Sequence, residues 1–220
     1  MKDAYVYVDG FNFYYGALRE NKDCKWLNFR SLFEEICGEL NIKTIKYFTA
    51  KVRNDPDARR RQEAYLRALG TDSDLEVIEG KFSRRKKNKP LVNPLRQGDC
   101  AEPDCPKGDK KARVWISEEK MSDVNLATHL LCDGFLAKYE VAVVVTNDSD
   151  LTTPIKLVQQ HNDVRVLVIC PIVNNRKISY DLKGVASEVK TIKRVALLKK
   201  HQFSSPLSDS KGTFHKPDSW

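Results

Sequence analysis

The sequence predicts an α/β fold in which helices cover a mostly parallel β-sheet. Short apolar runs of strand length alternate along the chain with segments of helical length, and this alternation is typical of such folds. The strongest run, Val141–Thr146, has five apolar residues among its six, the composition of a strand that is buried on both faces. With 220 residues, of which 41% are hydrophobic, the chain can form a full core, and we expect a single domain over residues 1–220.

The first half of the chain has clear turn and helix signals between its apolar runs. Asp9-Gly10 is a turn signal directly after the first run. Asn28 is a helix N-cap residue, Asp55-Pro56 begins a helix, and Gly70 ends one. The predicted elements are strands at Ala4–Val8, Thr44–Val52 and Leu75–Phe82 and helices at Phe11–Arg19, Phe29–Leu40 and Asp57–Leu69.

The segment from Ser83 to Lys111 interrupts this alternation. It contains four prolines and two glycines, and most of its other residues are charged. We therefore expect an inserted loop or arm at about residues 83–111. Its Cys100 and Cys105 form one pair of thiols, whereas a structural zinc site needs two further ligands, so the sequence leaves zinc binding open.

The second half returns to the alternation of strands and helices. Cys132 and Cys170 lie in apolar runs and are expected in the core. The tail Ser204–Trp220 is polar and punctuated by prolines, and we expect it to wrap the surface. The predicted elements are strands at Arg113–Ser117, Val141–Thr146 and Val164–Ile169 and helices at Ser122–Lys138, Pro154–His161 and Ser179–Ala186.

The composition excludes an integral membrane protein. No apolar run approaches the roughly 20 residues of a membrane-spanning helix, and Ala4–Val8 is too short for an export signal. Six cysteines at irregular spacing, in a chain that needs no stapling, indicate reduced thiols and a cytoplasmic protein.

The charge balance favours a polyanionic partner. Lysine and arginine number 38 against 30 acidic residues, a net charge of +8. Arg59–Arg61 is one basic cluster, and Lys81–Lys89 is a second, in which Phe82 is the one aromatic residue. We expect phosphate attraction rather than stacking to dominate there, and a solvated loop is the alternative. The residues predicted to contact the polyanion are Lys81, Arg84, Arg85, Lys86, Lys87 and Lys89.

Acidic residues follow two of the predicted strands, where parallel sheets place their sites. Asp9 follows the first strand, and Asp148 and Asp150 follow the strongest one, where extended backbone would point both the same way. Asp123 lies in the first turn of a helix, where an acid also has a structural explanation. Carboxylates about 4 Å apart repel by about 4 kcal/mol at an effective dielectric of 20. A hard divalent cation such as Mg²⁺ or Mn²⁺ removes that cost, which suggests metal-dependent phosphoryl transfer.

Three motifs in this order resemble the NYN domain of the PIN-like ribonuclease superfamily, in its LabA-type branch. They are Tyr7–Asn12, Glu119–Ala127 and Val143–Leu151. The resemblance implies a Rossmann-like three-layer α/β/α fold that cuts RNA, expected to be single-stranded, with Mg²⁺ or Mn²⁺. It implies catalytic and metal-binding roles for Asp9, Asp123, Asp148 and Asp150, and supporting roles for Asn12, Thr146, Asn147 and Ser149.

The chain departs from the family pattern at two positions. Asn147 stands where the family has glycine, and asparagine tolerates a left-handed backbone, so we expect the turn to be kept. His129 stands where LabA-type sequences often carry an aspartate, and we expect its side chain to point away from the acidic residues.

Metal-dependent endoribonuclease activity is the leading hypothesis. The alternative is a catalytically weak RNA-binding module that keeps the fold. Toprim enzymes need a glutamate after the first strand, where this chain has Asp9-Gly10. Haloacid-dehalogenase phosphatases need an aspartate where this chain has Phe11. Nucleophilic serine or cysteine catalysis has no supporting motif.

Overall fold

A computed structural model describes residues 1–53, 55–92, 111–173 and 177–220. Its main feature is a seven-stranded sheet in the order β4-β3-β2-β1-β5-β6-β7. Five neighbouring strand pairs are parallel and the β3–β4 pair is antiparallel, so the predicted mostly parallel α/β sandwich is confirmed. The strands are β1 Lys2–Asp9, β2 Leu40–Ala50, β3 Leu75–Pro90, β4 Lys111–Lys120, β5 Val141–Val145, β6 Arg165–Cys170 and β7 Glu188–Thr191.

Helices cover both faces of the sheet, as in a three-layer α/β/α fold. Side chains alternate along β1, so Val6 and Val8 pack into one core while Tyr7 packs into the other. Helices α1, α2, α3 and α7 contribute to the first core, and α4, α5 and α6 contribute to the second. Their bounds are α1 Gly10–Phe13, continued by a π-helical turn Tyr14–Leu18, α2 Phe29–Ile36, α3 Pro56–Leu69, α4 Ser122–Phe135, α5 Thr152–Asn162, α6 Tyr180–Val185 and α7 Val195–Lys200.

The predicted helix starts are confirmed by their caps. Asn28 Oδ1 accepts a hydrogen bond from the Ser31 N–H at 3.1 Å, and Asp55 Oδ1 accepts from two amides of α3. Helix α2 ends at Ile36 rather than at Leu40, because Leu40 is already the first residue of β2.

The segment after Phe82 is a β-hairpin for as far as the structure describes it. Strand β3 does not end at Phe82 but continues to Pro90, and it pairs with β4 from Lys81 opposite Lys120 to Pro90 opposite Lys111. Its charged residues form a strand because their partners lie in β4, 20 to 40 positions later in the chain. Residues 93–110, which include Cys100 and Cys105, lie outside the described residues.

The tail contributes to the first core as well as to the surface. Leu207–Asp209 and Gly212–Phe214 form a small hairpin, β8 and β9. Phe214 is buried, and the Trp220 ring lies 6.4 Å from that of Trp26. Cys170 is buried as predicted, but Cys132 is exposed on α4, so its predicted place in the core is wrong. None of the described helices is long and apolar enough to cross a membrane.

Candidate active site

An open pocket of about 380 Å³ lies where β1 and β5 end side by side. We call it the acid pocket because three aspartates and one glutamate line it. Asp9 is the last residue of β1, Asp148 follows β5, and Asp123 lies in the first turn of α4. The other lining residues come from α1 and from the base of the hairpin. The complete lining is Asp9, Phe11, Asn12, Tyr15, Phe82, Ser117, Glu119, Asp123 and Asp148.

Asp9 is the buried member of this group, with 4% of its surface exposed. Its carboxylate accepts hydrogen bonds from the Asn12 N–H and from the Thr146 hydroxyl, both at 2.9 Å. The Thr146 oxygen in turn accepts from the Asp148 N–H at 3.1 Å. Thr146 therefore links the acid at the end of β1 to the acid beyond β5.

Close packing around Gly10 holds the start of α1 next to these acids. A Cβ atom at Gly10 would lie 2.5 Å from the Phe48 carbonyl oxygen of β2. Only glycine allows this approach. The close approach places Asn12 within hydrogen-bonding distance of the loop after β5. Asn12 Oδ1 accepts from the Asn147 N–H at 3.0 Å.

Asn147 supports the site through its side chain as well as through its backbone N–H. Asparagine tolerates the left-handed backbone that glycine supplies, but the chain does not adopt that backbone here. Asn147 is absent from the non-glycine residues with positive φ among those described, which are Met121, Ala137 and Asp163. The Asn147 side-chain nitrogen Nδ2 donates to the Lys177 carbonyl at 3.0 Å, and its Oδ1 accepts from the Ser179 N–H at 2.8 Å. Asn147 thus ties the acid pocket to the segment before α6.

Asp148 and Asp150 do not share one extended segment. Asp148 is the N-cap of a 3₁₀ turn at Ser149–Leu151, and its Oδ1 accepts from the Asp150 N–H at 3.0 Å. The predicted extended geometry is therefore wrong. Asp150 is exposed and does not line the acid pocket, although its charge is close enough to affect Asp123. Ser149 contributes its carbonyl oxygen, which accepts from the Thr152 hydroxyl.

Glu119 is a pocket acid that was not among the predicted site residues. It lies at the end of β4 opposite Phe82, and its Oε1 accepts from the Ser122 N–H at 3.0 Å. A Cβ atom at Gly80 would lie 2.6 Å from the Lys120 carbonyl oxygen and 2.8 Å from Glu119 Oε1, so glycine is needed for this close packing. The signal was in the sequence, because Glu119 lies four residues before Asp123 within one motif.

The acid pocket holds negative charge without compensation. Burial and, to a smaller extent, the charges of Asp123 and Asp148 together raise the pKa of Asp9 to about 6, against two hydrogen bonds that lower it. Partial burial raises the pKa of Asp123, and so do the charges of Glu119, Asp148 and Asp150. Within the described part of the chain, none of these five carboxylates has a lysine or arginine partner within 4 Å.

This donor set fits a hard divalent cation in chemistry and in charge. Carboxylate oxygens are the ligands that Mg²⁺ and Mn²⁺ prefer, and a bound cation would offset the burial and the repulsion that raise these pKa values. The fit is one of chemistry and not of position: among the described residues, no three His, Cys, Asp or Glu side chains lie close enough together to hold one ion.

The hairpin presents two different faces. Side chains alternate along each strand, so Arg84 and Lys86 share a face with Trp115, Ser117 and Glu119. We call this the pocket face, because Phe82, Ser117 and Glu119 on it also line the acid pocket. The Trp115 ring is 56% exposed, with the Arg84 guanidinium 4.4 Å and the Lys86 ammonium 4.9 Å from its centre. The prediction that Phe82 is the one aromatic neighbour of the cations is therefore wrong.

On the opposite face of the hairpin, which we call the paired face, three cations share one carboxylate. Arg85 and Lys87 bind Glu118 at 2.8 and 2.9 Å, and Lys120 lies 3.2 Å away. The hydrogen bonds from these three cations lower the pKa of Glu118 to about 2. Lys81 and Lys89 have the same orientation as Arg85, so four of the six predicted contact residues point away from the pocket face.

His129 points away from the acid pocket, as the sequence predicts. Its Nδ1 lies 3.1 Å from the Lys46 ammonium, and its ring lies 5.6 Å from that of Phe48. Lys46 is buried and binds Asp133 at 2.6 Å, and Tyr7 donates to the same carboxylate oxygen. His129 is part of this buried polar network and not of the pocket lining.

The sheet order and the acidic pocket at the ends of β1 and β5 define a PIN-like α/β/α protein. The family model for the NYN domain matches residues 3–193. The chain belongs to the NYN domain family, whose members are related to PIN-like nucleases.

Two proteins of known sequence or structure are similar to the chain over most of its length. The chain is 33% identical over 238 aligned residues to the 6-hydroxy-3-succinoylpyridine 3-monooxygenase of Pseudomonas putida (strain DSM 28022 / S16), covering 98% of this chain and 74% of that protein. The crystal structure of a protein of unknown function from Vibrio parahaemolyticus RIMD 2210633 superposes with a TM-score of 0.52 at 21% identity. It covers 88% of this chain and 94% of that chain, and it supports the fold.

We predict that Asp9→Asn removes a pH-dependent loss of stability from the metal-free protein. The folded pKa of about 6 lies above the ordinary value of 3.8, so ionisation of Asp9 opposes folding as the pH rises through the folded pKa. The full effect is about 3 kcal/mol above pH 6. The measurement is the free energy of unfolding of both proteins, from urea unfolding in EDTA at pH 4 and pH 7. Relative to the wild type, the variant should be more stable at pH 7 than it is at pH 4. A difference that is the same at both pH values contradicts the assignment.

Proposed function

We propose that the chain is a metal-dependent endoribonuclease that hydrolyses phosphodiester bonds of single-stranded RNA at the acid pocket. One observation carries the proposal: four carboxylates without cationic partners line a pocket from which the exposed cations and the tryptophan of the pocket face extend. A charged phosphate chain on the hairpin would reach the acids only with a divalent cation between the two. Within the NYN family we propose the LabA-type branch, on the three motifs, and a cytoplasmic location, on the reduced cysteines.

Each pocket residue has a role in this reaction that follows from its contacts. Asp9, Asp123 and Asp148 would hold the cation, with Asp150 close by on the 3₁₀ turn. When bound, the cation supplies charge stabilisation for the phosphoryl group and for the attacking water. Thr146 fixes the orientation of the Asp9 carboxylate through its 2.9 Å hydrogen bond. Asn12 and Asn147 hold the loop that carries Asp148.

The pocket face would guide the RNA strand towards these acids. Arg84 and Lys86 can attract phosphates, and the exposed Trp115 ring offers a surface on which a base can stack. A strand lying along this face would pass Ser117 and reach Glu119 at the rim of the acid pocket. Contacts of this kind position RNA without selecting its sequence.

An RNA-binding module with weak catalysis remains the alternative within the same class. If the chain is such a module, it should bind RNA in EDTA but should not cut RNA in Mn²⁺. If it is the enzyme, it should do both. The four predicted aspartates, together with Glu119, favour the enzyme, since a binding module has no need of unpaired carboxylates.

Oxygenation of a small pyridine is a second candidate function. It is favoured by the 33% identity to a 6-hydroxy-3-succinoylpyridine 3-monooxygenase over nearly the whole chain. The test is incubation of the chain with 6-hydroxy-3-succinoylpyridine, oxygen and a two-electron reductant such as NADH. Substrate loss that is absent in a heat-inactivated sample would support this function over RNA cleavage.

We predict that Asp148→Asn reduces RNA cleavage by at least about 10²-fold, because it removes a negative ligand of the cation that stabilises the transition state. The asparagine can still accept from the Asp150 N–H, so the fold should be kept and the metal-free thermal midpoint should hold or rise. The measurement is single-turnover cleavage of a labelled RNA in Mn²⁺.

Asp163→Asn is the matched control for this experiment. Asp163 is exposed at φ 48°, a backbone that asparagine tolerates, and it lies outside the acid pocket. Its cleavage rate should equal that of the wild type. Normal cleavage by a folded Asp148→Asn protein would contradict the ribonuclease assignment.

We predict that Mn²⁺ or Mg²⁺ raises the thermal midpoint of the wild type in a concentration-dependent way. A ligand that binds only the folded state stabilises it by mass action. Asp9→Asn and Asp123→Asn should each blunt this shift, because each removes one donor. If both variants keep the full shift in a thermal scan, the cation binds elsewhere.

We predict that the two faces of the hairpin differ in their effect on RNA binding. For single strands, affinity falls with salt at a slope near −0.7 per phosphate neutralised, so the double variant Arg84→Ser/Lys86→Ser should flatten the slope by about 1.4. Arg85→Ser/Lys87→Ser is the control with equal charge loss, and its slope should change less because these two cations are held by Glu118 and point away from the pocket face. Trp115→Ala should weaken binding by about 1–3 kcal/mol at every salt concentration.

Fluorescence titration of a labelled RNA in EDTA at four salt concentrations measures these slopes. All variants should cut a saturating substrate at nearly the normal rate, because the hairpin positions RNA without taking part in the chemistry. Equal slope changes for both double variants would contradict the two-faced description.

A further inference from the structure

A second pocket, of about 300 Å³, adjoins the acid pocket, and the proposed function does not use it. Phe11, Tyr15 and Phe82 line both pockets, and the rings of Phe11 and Phe82 meet edge to face at 5.7 Å. These rings form a shared wall, so a molecule in the second pocket would lie directly beside the acids.

The second pocket is lined mainly by aromatic rings, and we call it the aromatic pocket. Tyr14 and Tyr15 come from the π-helical turn after α1, and both are partly exposed. Tyr47, Tyr65 and Trp220 also line it. The Tyr65 hydroxyl is already bound to the Leu27 carbonyl at 2.9 Å, so this tyrosine offers its ring and not its hydroxyl. Such a lining suits a flat, unsaturated ring.

Two cations stand in the lining without acidic partners. Among the described residues, neither Lys25 nor Arg61 has a carboxylate within 4 Å. The Lys25 ammonium lies 5.4 Å from the centre of the Tyr14 ring. Burial lowers the pKa of Lys25, and the nearby charges of Arg61 and Lys22 lower it further. Half-buried like charges side by side are unfavourable alone, and an anion between them would remove that cost.

The combination is selective for one class of ligand. A purely apolar molecule would leave the two cations unpaired, and a simple anion would leave the rings unfilled. A planar heteroaromatic ring that carries an anionic group satisfies both. At about 300 Å³ the pocket is at the small end of ligand sites, so it has room for one such ring and not for a stack.

We infer that the aromatic pocket binds one nucleobase of the RNA, turned out of its stack, with Lys25 and Arg61 on the adjoining phosphate. This inference rests on the proposed function, because the shared wall then places the neighbouring phosphate at the acids. It also names the substrate more narrowly. A base must leave its helix to enter, so single strands and loops are substrates and intact duplexes are not.

The first experiment measures nucleotide binding in EDTA, without cleavage. The four ribonucleoside 5′-monophosphates, ribose 5-phosphate and pyridine-3-carboxylate are titrated into the full chain by isothermal calorimetry. Stacking of a base is worth about 1–3 kcal/mol, so the best nucleotide should bind about 5- to 150-fold more tightly than ribose 5-phosphate.

Substitutions at Arg61 and Lys25, with a control at Arg60, test where the nucleotide binds. Arg61→Gln should weaken nucleotide binding at least about fivefold, and Lys25→Met should do the same from a different segment of the chain. Arg60→Gln is the control, since Arg60 is exposed on the same helix and binds Asp57 at 2.6 Å. Comparing two independent pocket variants keeps the test valid if one of them fails to fold.

The second experiment locates the base relative to the cut. A single abasic residue is moved through a short RNA, and kcat/KM is measured for each position with the wild type. One position next to the cut should lose about 5- to 150-fold, and the more distant positions should lose less.

The outcomes separate this inference from the ribonuclease proposal. Nucleotide binding that depends on Lys25 and Arg61, in a chain that cuts no RNA, supports the pocket and overturns the activity. RNA cleavage with a flat abasic scan, or nucleotides that bind no better than ribose 5-phosphate, overturns the pocket. Binding of pyridine-3-carboxylate in preference to every nucleotide also overturns it, since the pocket then serves a free small molecule.

Discussion

The hydrogen bond from the Thr146 hydroxyl to the Asp9 carboxylate is the contact on which the site depends. It crosses from β5 to β1, between the two central strands of the sheet, at 2.9 Å. The same hydroxyl oxygen accepts a hydrogen bond from the Asp148 N–H. One threonine thus fixes two acids from distant parts of the chain. The paired strands bring these acids together whether or not their charges repel, because burial in both cores stabilises β1 and β5.

Much of the fold and part of the site could be predicted from local patterns. Asp9 and Asp148 were found because they directly follow apolar runs, and the caps at Asn28 and Asp55 are local hydrogen bonds. Trp115 could not be assigned to the cations of the hairpin, since its partner Lys86 is set by strand register and not by proximity in sequence. Asn147 was misread for the same reason: its side chain binds residues 30 positions away.

The comparisons join one fold to two kinds of chemistry. Nuclease-related NYN domains and a pyridine monooxygenase are both similar to this chain over most of its length. A shared fold does not fix the reaction, which is decided by the side chains of the site. In this chain the acids and the aromatic rings line separate pockets with a common wall, so under the proposed function the rings would set substrate choice independently of the acids.

The hairpin register also sets a distance. Trp115 and Glu119 lie four residues apart in β4, which at about 3.3 Å per residue separates the stacking surface from the pocket rim by about 13 Å. Under the proposed function, an RNA strand longer than this span would contact both places at once, whereas a shorter fragment would contact only one. In the proposed ribonuclease, the hairpin would therefore hold long RNA chains more tightly than the short products of cleavage.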